Sequence, residues 1–351
     1  LQCSIDYWKE KSNNIWNRYT DSYLYRKRMI LRLKQQVSFD AYCCAVVNPM
    51  TLTTVGAITE CSLEPIHQDL LTSEYLEDDV HLYRELVEKS VKTARLSDTF
   101  GKQESRRFTD ILKPHQFSDE MRVALMDKGK CYGFLTLFKK EESTHFTDKE
   151  VLLLEGLSPI MGKALRNYFF MESEQSSQSL HTDPGVIIVD RHLSLQSMNE
   201  AGKRYMTLLQ EFERSEDPGS LPKPIQAICF KLLSQKDRNV TLFIPVADKI
   251  QFVASASFLQ TDSSKKNVAI AITINKASAK EMLEHLMETY ALTAREKQVV
   301  KACLPGHTTK EIANKLNISY YTVQDYFKNI FYKVGVTTRN ELVWKLFAKY
   351  Q

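Results

Sequence analysis

The sequence predicts a multidomain α+β protein: two units built on antiparallel sheets, followed by an all-α unit of four helices. Three observations carry that expectation. The 351 residues exceed the roughly 250–300 at which a single core stops growing. Two stretches hold Val- and Thr-rich apolar runs punctuated by turn residues, with a polar, serine-rich segment between them. The last fifth of the chain shows only helical periodicity.

Composition narrows the function classes. At 43% hydrophobic and 26% charged residues, the chain reads as globular rather than disordered or fibrous. No run approaches the ~18 uncharged apolar residues of a membrane span; Val151–Gly162 and Val268–Ile274 are the best candidates, and the first contains Glu155. The start, Leu1 to Asp6, has no basic stretch followed by an apolar block, so no secretion signal and a cytoplasmic location are expected. Seven scattered cysteines (3, 43, 44, 61, 131, 229, 303) include no Cys-x-x-Cys, and no His-Glu-x-x-His occurs. Free thiols, no metal and no cofactor follow as expectations. The charge is uneven: residues 279–351 carry 11 Lys/Arg against 7 Asp/Glu, leaving 36 against 36 in residues 1–278. The basic excess lies where a polyanion would dock.

The elements follow in order. Ile5, Trp8, Ile15, Tyr19, Met29 and Leu33 predict one long helix over 5–36, suited to covering its own sheet or to dimerising. Ala41–Asn48 and Thr51–Thr59 predict a strand pair turning at Asn48-Pro49-Met50, and polar, helical sequence follows from Glu74 to Lys92. Met121–Asp127 and Tyr132–Lys139 read as a hairpin around Lys128-Gly129-Lys130. Thr147-Asp148-Lys149-Glu150 is a capping box, opening a helix with Val151, Leu154, Leu157, Met161, Leu165 and Tyr168 on one stripe and a kink at Pro159. Beyond the polar segment, Val186–Val189 and Leu193–Gln196 flank a turn at Asp190-Arg191-His192. A helix begins near Asn199 and a second spans Ile225–Ser234, before the strands Val240–Pro245, Ile250–Leu259 and Val268–Ile274.

In the C-terminal unit, Thr293-Ala294-Arg295-Glu296 caps a first helix that Pro305-Gly306-His307 stops. A short second helix covers Lys310–Leu316; Asn317-Ile318-Ser319 turns the chain, Ser319 caps a third helix ending at Gly335, and Thr338 caps a fourth. A short helix, a tight turn and a longer amphipathic helix describe a helix-turn-helix. At 100° per residue, Phe327, Ile330 and Val334 fall within about 40° of Val323, facing the core. Tyr321, Gln324, Asp325, Lys328 and Tyr332 cluster near 100–200°, facing away. Any small amphipathic bundle would also leave such a polar face solvated.

Leu292-Thr293-Ala294-Arg295-Glu296, Thr309-Lys310-Glu311-Ile312-Ala313, Ser319-Tyr320-Tyr321-Thr322-Val323, Lys333-Val334-Gly335-Val336 and Arg339-Asn340-Glu341-Leu342-Val343 resemble, in order and at full length, the LuxR-type helix-turn-helix. The resemblance implies bacterial sequence-specific binding of double-stranded DNA, with the third helix as reader and the fourth often lining a dimer contact. It places Gln324, Asp325 and Lys328 at base-contacting positions, with Tyr321 on the same face, and Thr309, Lys310, Thr322 and Lys333 at backbone-contacting ones. The family usually has Lys and His where this chain has Gln324 and Tyr326, and Asp325 adds a carboxylate that accepts from cytosine N4 but repels phosphate. An altered sequence preference is the expectation, with lost DNA binding or a merely solvated Asp325 as the alternatives.

Phe39-Asp40-Ala41, Tyr75-Leu76-Glu77-Asp78-Asp79 and Arg122-Val123-Ala124-Leu125 with Gly133-Phe134-Leu135-Thr136-Leu137-Phe138 resemble GAF-type sensory domains. Gly185-Val186-Ile187-Ile188-Val189-Asp190 with Asn199-Glu200-Ala201 is similar to PAS domains. The expected organisation is an N-terminal helix (1–37), a GAF-like domain (38–171), a linker (172–183), a PAS-like domain (184–276), a linker helix (277–289) and a LuxR-type domain (290–351). Tyr42, Tyr75, Tyr132 and Phe134 are candidates for lining a ligand cavity, with core packing as the alternative. The function expected is that of a transcription regulator, not an enzyme, with no catalytic residues. It would be a homodimer, with no membrane partner, whose sensory domains respond to a small-molecule effector or a protein partner. Two alternatives stay open: a response regulator phosphorylated on an aspartate, for which Asp190 at a hairpin turn is a poor fit, and a thiol redox enzyme using Cys43, Cys44, Cys61 or Cys131.

Overall fold

The structure, a computed structural model, describes residues 2–18, 21–170, 183–214, 219–234, 239–246, 250–260 and 268–346. It divides into two compact units, Leu1–Lys276 and Ala277–Gln351. Most of the expected linker (172–183) lies outside the described residues.

The single helix expected over 5–36 is two: α1 (Gln2–Arg18) and α2 (Ser22–Leu33). Asp21 explains the break. Its backbone is extended and its carboxylate accepts the Tyr23 amide at 2.7 Å, a local bond that favours starting a helix over continuing one. Trp8 and Ile15 are buried, and α1 packs on α5 (Asp148–Phe170).

The first sheet contains β1 (Ala41–Val47), β2 (Thr54–Thr59), β3 (Thr93–Arg95), β4 (Phe117–Asp127) and β5 (Lys130–Lys140). All pairs are antiparallel, in the spatial order β2-β1-β5-β4-β3. Helix α5 lies on one face, capped by the reciprocal Thr147–Glu150 bonds. Ser158 fixes it to β4 by donating to Ala124 O and accepting from Met126 N. A Cβ on Gly162 would stand 2.5 Å from Met126 O, so only glycine admits this approach. The other face carries α3 (His67–Leu76) and α4 (Tyr83–Glu88). They occupy part of the stretch expected to be helical from Glu74 to Lys92.

The second sheet holds β6 (Gly185–Asp190), β7 (Leu195–Met198), β8 (Asn239–Val246), β9 (Ile250–Gln260) and β10 (Val268–Lys276), ordered β7-β6-β10-β9-β8. Numbered within each sheet, both orders are second-first-fifth-fourth-third. Asn199 caps α6 (Glu200–Glu213) by accepting from Gly202 N, and α7 (Lys223–Ser234) follows. The two sheets do not stand apart. Edge strand β2 meets α6, α7 and β8, and one apolar core runs from Trp8 and Tyr25 through Leu125 and Leu154 to Ile228 and Ile272.

The second unit contains α8 (Ala279–Thr289), α9 (Ala294–Cys303), α10 (Thr309–Leu316), α11 (Tyr320–Val334) and α12 (Arg339–Leu346). No helix of the described residues is long and apolar enough to cross a membrane.

Candidate nucleic-acid interface and sensor cavity

The C-terminal helices are specified by their ends. Ser278/Glu281, Thr293/Glu296 and Thr308/Glu311 each form a reciprocal capping box, satisfying amides that a helix start leaves open. Asn317, left-handed at φ 53°, ends α10, and Ser319 starts α11 by accepting from Thr322 N. Gly335, at φ 73°, ends it.

Between those caps α11 sorts its side chains into two faces. Val323, Phe327, Ile330 and Val334 are buried, whereas Gln324, Asp325, Lys328 and Tyr332 are exposed and Tyr321 is 75% exposed. Lys328 Nζ pairs with Asp325 Oδ1 at 3.1 Å, and Gln324 Nε2 donates to Tyr320 Oη at 3.3 Å. A helix presenting such a face fits a major groove, whose base edges offer paired donors and acceptors.

The other positions separate. Thr309 and Lys310 line an open groove beside Tyr320, Arg339 and Trp344. Thr322 is half-buried, its hydroxyl 2.8 Å from Ser319 Oγ. Lys333 is engaged elsewhere: its ammonium lies 2.6 Å from Glu296 and 3.2 Å from Ala291 O. Burial opposes ionisation of Glu296, but bonds from Lys333 and Thr293 hold its carboxyl below the usual range. Sequence reasoning assigned no role to Arg339, which lies over the Phe327 ring and donates to His307 O, tying the start of α12 to the turn before α10.

In the first unit a cavity of about 70 Å³ lies between the first sheet and α3–α4, and Lys223 of α7 reaches its rim. Tyr75 and Phe134 line it. Tyr42 and Tyr132 do not; they pack into the core on the other face of the sheet. For Tyr132 the cause is a β-bulge. Gly133 pairs with Leu125 and Cys131 with Met126, so Tyr132 is the extra residue and the alternation of faces shifts across it.

Residues the sequence reading left unassigned dominate the cavity. The Glu120 Oε2 atom lies 2.9 Å from Arg107 Nη2 and 3.1 Å from Arg122 Nε, and Arg122 Nη1 reaches Glu74 at 2.6 Å. Burial alone would raise the Glu120 carboxyl, but the two guanidiniums hold it below its usual range. Tyr83 stacks on Phe134 with ring centroids 3.9 Å apart, and its hydroxyl lies 2.8 Å from Thr136 Oγ1. The available signal was Arg122, a cation inside an apolar strand.

The features behind the two alternatives are also placed. The Asp190 carboxylate accepts from the amides of His192 and Ser194 within its own hairpin. Burial pushes the Cys44 and Cys131 thiols up to about 12 and raises that of Cys43, so they are not activated as thiolates. Among the described residues no three His, Cys, Asp or Glu side chains gather in a metal-binding cluster.

Residues 290–346 match the family model described as "GerE: Bacterial regulatory proteins, luxR family". The chain is 36% identical over 91 residues to the transcriptional regulatory protein DesR of Bacillus subtilis, covering 24% of this chain and 46% of DesR. It is 32% identical over 72 residues to the HTH-type transcriptional regulator MalT of Yersinia pestis, covering 20% of this chain and 8% of MalT. Among solved structures, Vibrio cholerae VqmA is 23% identical with a TM-score of 0.21, covering 46% of this chain and 81% of that one. Escherichia coli SdiA is 12% identical with a TM-score of 0.35, covering 98% and 96%. Scores this low carry no argument about architecture. The C-terminal unit contains a LuxR-type helix-turn-helix domain.

Proposed function

We propose that this LuxR-type domain belongs to a transcription regulator that reads double-stranded DNA with the outward face of α11, under the control of its N-terminal unit. The observation that carries the reading is the division of α11: an apolar face closed into the domain, and Tyr321, Gln324, Asp325 and Lys328 presented to solvent. Gln324 suits the paired N6 and N7 edge of adenine, Lys328 the O6 and N7 acceptors of guanine, and Asp325 the N4 donor of cytosine. Thr309, Lys310 and Thr322 are read as phosphate contacts, which position the helix without specifying sequence. Lys333 can join them only by sharing its ammonium with Glu296.

The N-terminal unit is read as the sensor, with GAF-like and PAS-like halves and a small molecule as effector. Such an effector acts only through different affinities for two arrangements of the protein. A homodimer would read two half-sites related by a two-fold axis, centred about 34–36 Å apart.

Selection from a random duplex library with the full chain tests the proposal. Enrichment of a defined, two-fold-related motif supports it. Recovery of unenriched DNA at every salt concentration defeats it.

A further inference from the structure

The cavity of the first unit has an unusual polar inventory. Glu120 is 1% exposed and lines the space. Its Oε2 accepts from Arg107 and lies near Arg122, whereas Oε1 has no hydrogen-bond partner among the described residues. A buried carboxylate oxygen left unpaired costs several kcal/mol, so it marks a place where a donor belongs. Arg107 Nη1 is also unpartnered, but Arg107 does not line the cavity.

On the neighbouring strand, Thr136 pairs with Arg122 and forms a pair of hydroxyls with Tyr83. Two hydroxyls carry two hydrogens and share one bond, which leaves one hydrogen free to donate. These groups offer an unpaired acceptor and a spare donor, in a wall that also carries the polar side chains of Thr54, His67 and Tyr75. The charges in and around it cancel, Arg107, Arg122 and Lys223 against Glu120, Glu74 and Glu64, so an ionic guest would bring an uncompensated buried charge. The remaining walls include Ala45, Ala57, Leu70 and Phe138. The volume, about 70 Å³, is several times the ~10–15 Å³ a cavity needs to hold one water and far below the ~300 Å³ of sites for drug-sized ligands.

We infer that this cavity binds a very small, neutral molecule carrying a hydrogen-bond donor beside an acceptor, the carboxamide class. Its N–H donates to Glu120 Oε1, and its carbonyl accepts the spare hydroxyl hydrogen of the Tyr83–Thr136 pair. The inference deepens the sensor reading above and rests on it. It also gives that reading a route, because Lys223 at the rim belongs to α7 of the second half and is bound to Glu64 of the first at 3.0 Å.

The test uses the full chain and three probes of similar size: acetamide, acetone (a carbonyl with no N–H) and acetate, read by saturation-transfer NMR. The expected result is transfer to acetamide alone. It should be lost in Ala57→Leu, which fills the cavity, and reduced in the double variant Tyr83→Phe/Thr136→Val, which keeps the shape and removes both hydroxyls. Thermal melting shows whether each variant is folded, and the double variant serves if Ala57→Leu is not. Equal transfer to all three probes, or transfer that persists in the folded variants, overturns the inference. No transfer to acetamide also overturns it and leaves the cavity to ordered water. DNA selection by the same preparation separates the two ideas: an enriched motif without acetamide binding sinks this inference alone.

Discussion

Lys333 and Lys328 lie five positions apart on one helix and do different work. Lys333 neutralises Glu296, whose side chain is 4% exposed, so Lys333→Ala leaves that carboxylate without its cation. The expected loss is about 1–2 kcal/mol of stability in the helical unit, read by thermal melting at neutral pH. Because the folded-state carboxyl is held below its ordinary 4.5, the contribution is complete above about pH 4.5 and fades as pH falls through the lower folded value. The gap between wild type and variant should therefore close on acidification; a gap independent of pH contradicts the assignment. Lys328 instead shares an exposed ion pair with Asp325, a contact worth little to folding. Removing the carboxylate with Asp325→Ala should leave the melting point unchanged while tightening binding to random DNA and steepening its salt dependence. Weaker non-specific binding would show that Asp325 does not face the phosphates. The α11 division was legible because a 3.6-residue period fixes the faces of a regular helix. The hold of Glu296 on Lys333 spans 37 positions and lay outside any local pattern.

At the scale of elements, ends and irregularities decide what sequence periodicity can recover. The capping boxes at Thr147 and Thr293 were readable as motifs, because each is a bond between residues three apart; at the start of α10 the sequence left Thr308 and Thr309 as alternatives, and the structure forms the box at Thr308. Asp21 has the same chemistry, yet the apolar period continuing past it hid the break between α1 and α2. Strand β4 starts at Phe117, earlier than the expected Met121, because Asp119 and Glu120 look like loop residues until their burial in polar networks is seen. The bulge at Tyr132 shifts the alternation of faces along β5 and turns that ring away from the cavity, and Tyr42 on β1 faces away as well. Two changes test this account. Asp21→Ala should lower stability by about 1 kcal/mol through the lost cap. Gly335→Ala should cost a similar ~1 kcal/mol, since an L-residue is strained at its φ, with no change in DNA sequence preference. Thermal melting checks both, and a neutral Gly335→Ala would refute the left-handed end of α11.

For the whole molecule, the first unit repeats one strand order in two sheets that share a core. The first unit therefore holds two similar sheets over one apolar core, where the sequence led to the expectation of a GAF-like and a PAS-like domain joined by a linker. That contiguity was invisible because it rests on edge strand β2 meeting α6, α7 and β8, residues more than 140 positions apart. The C-terminal unit was the most legible part, since its motifs are dense and local. The central claim is that α11 reads base edges, and base-by-base preference profiling of wild type against Gln324→Ala addresses it most directly. The account predicts lost preference at one position of each half-site and about 1–3 kcal/mol weaker specific binding, with binding to random DNA unchanged. An unaltered preference profile, with equal losses on selected and random DNA, would contradict it.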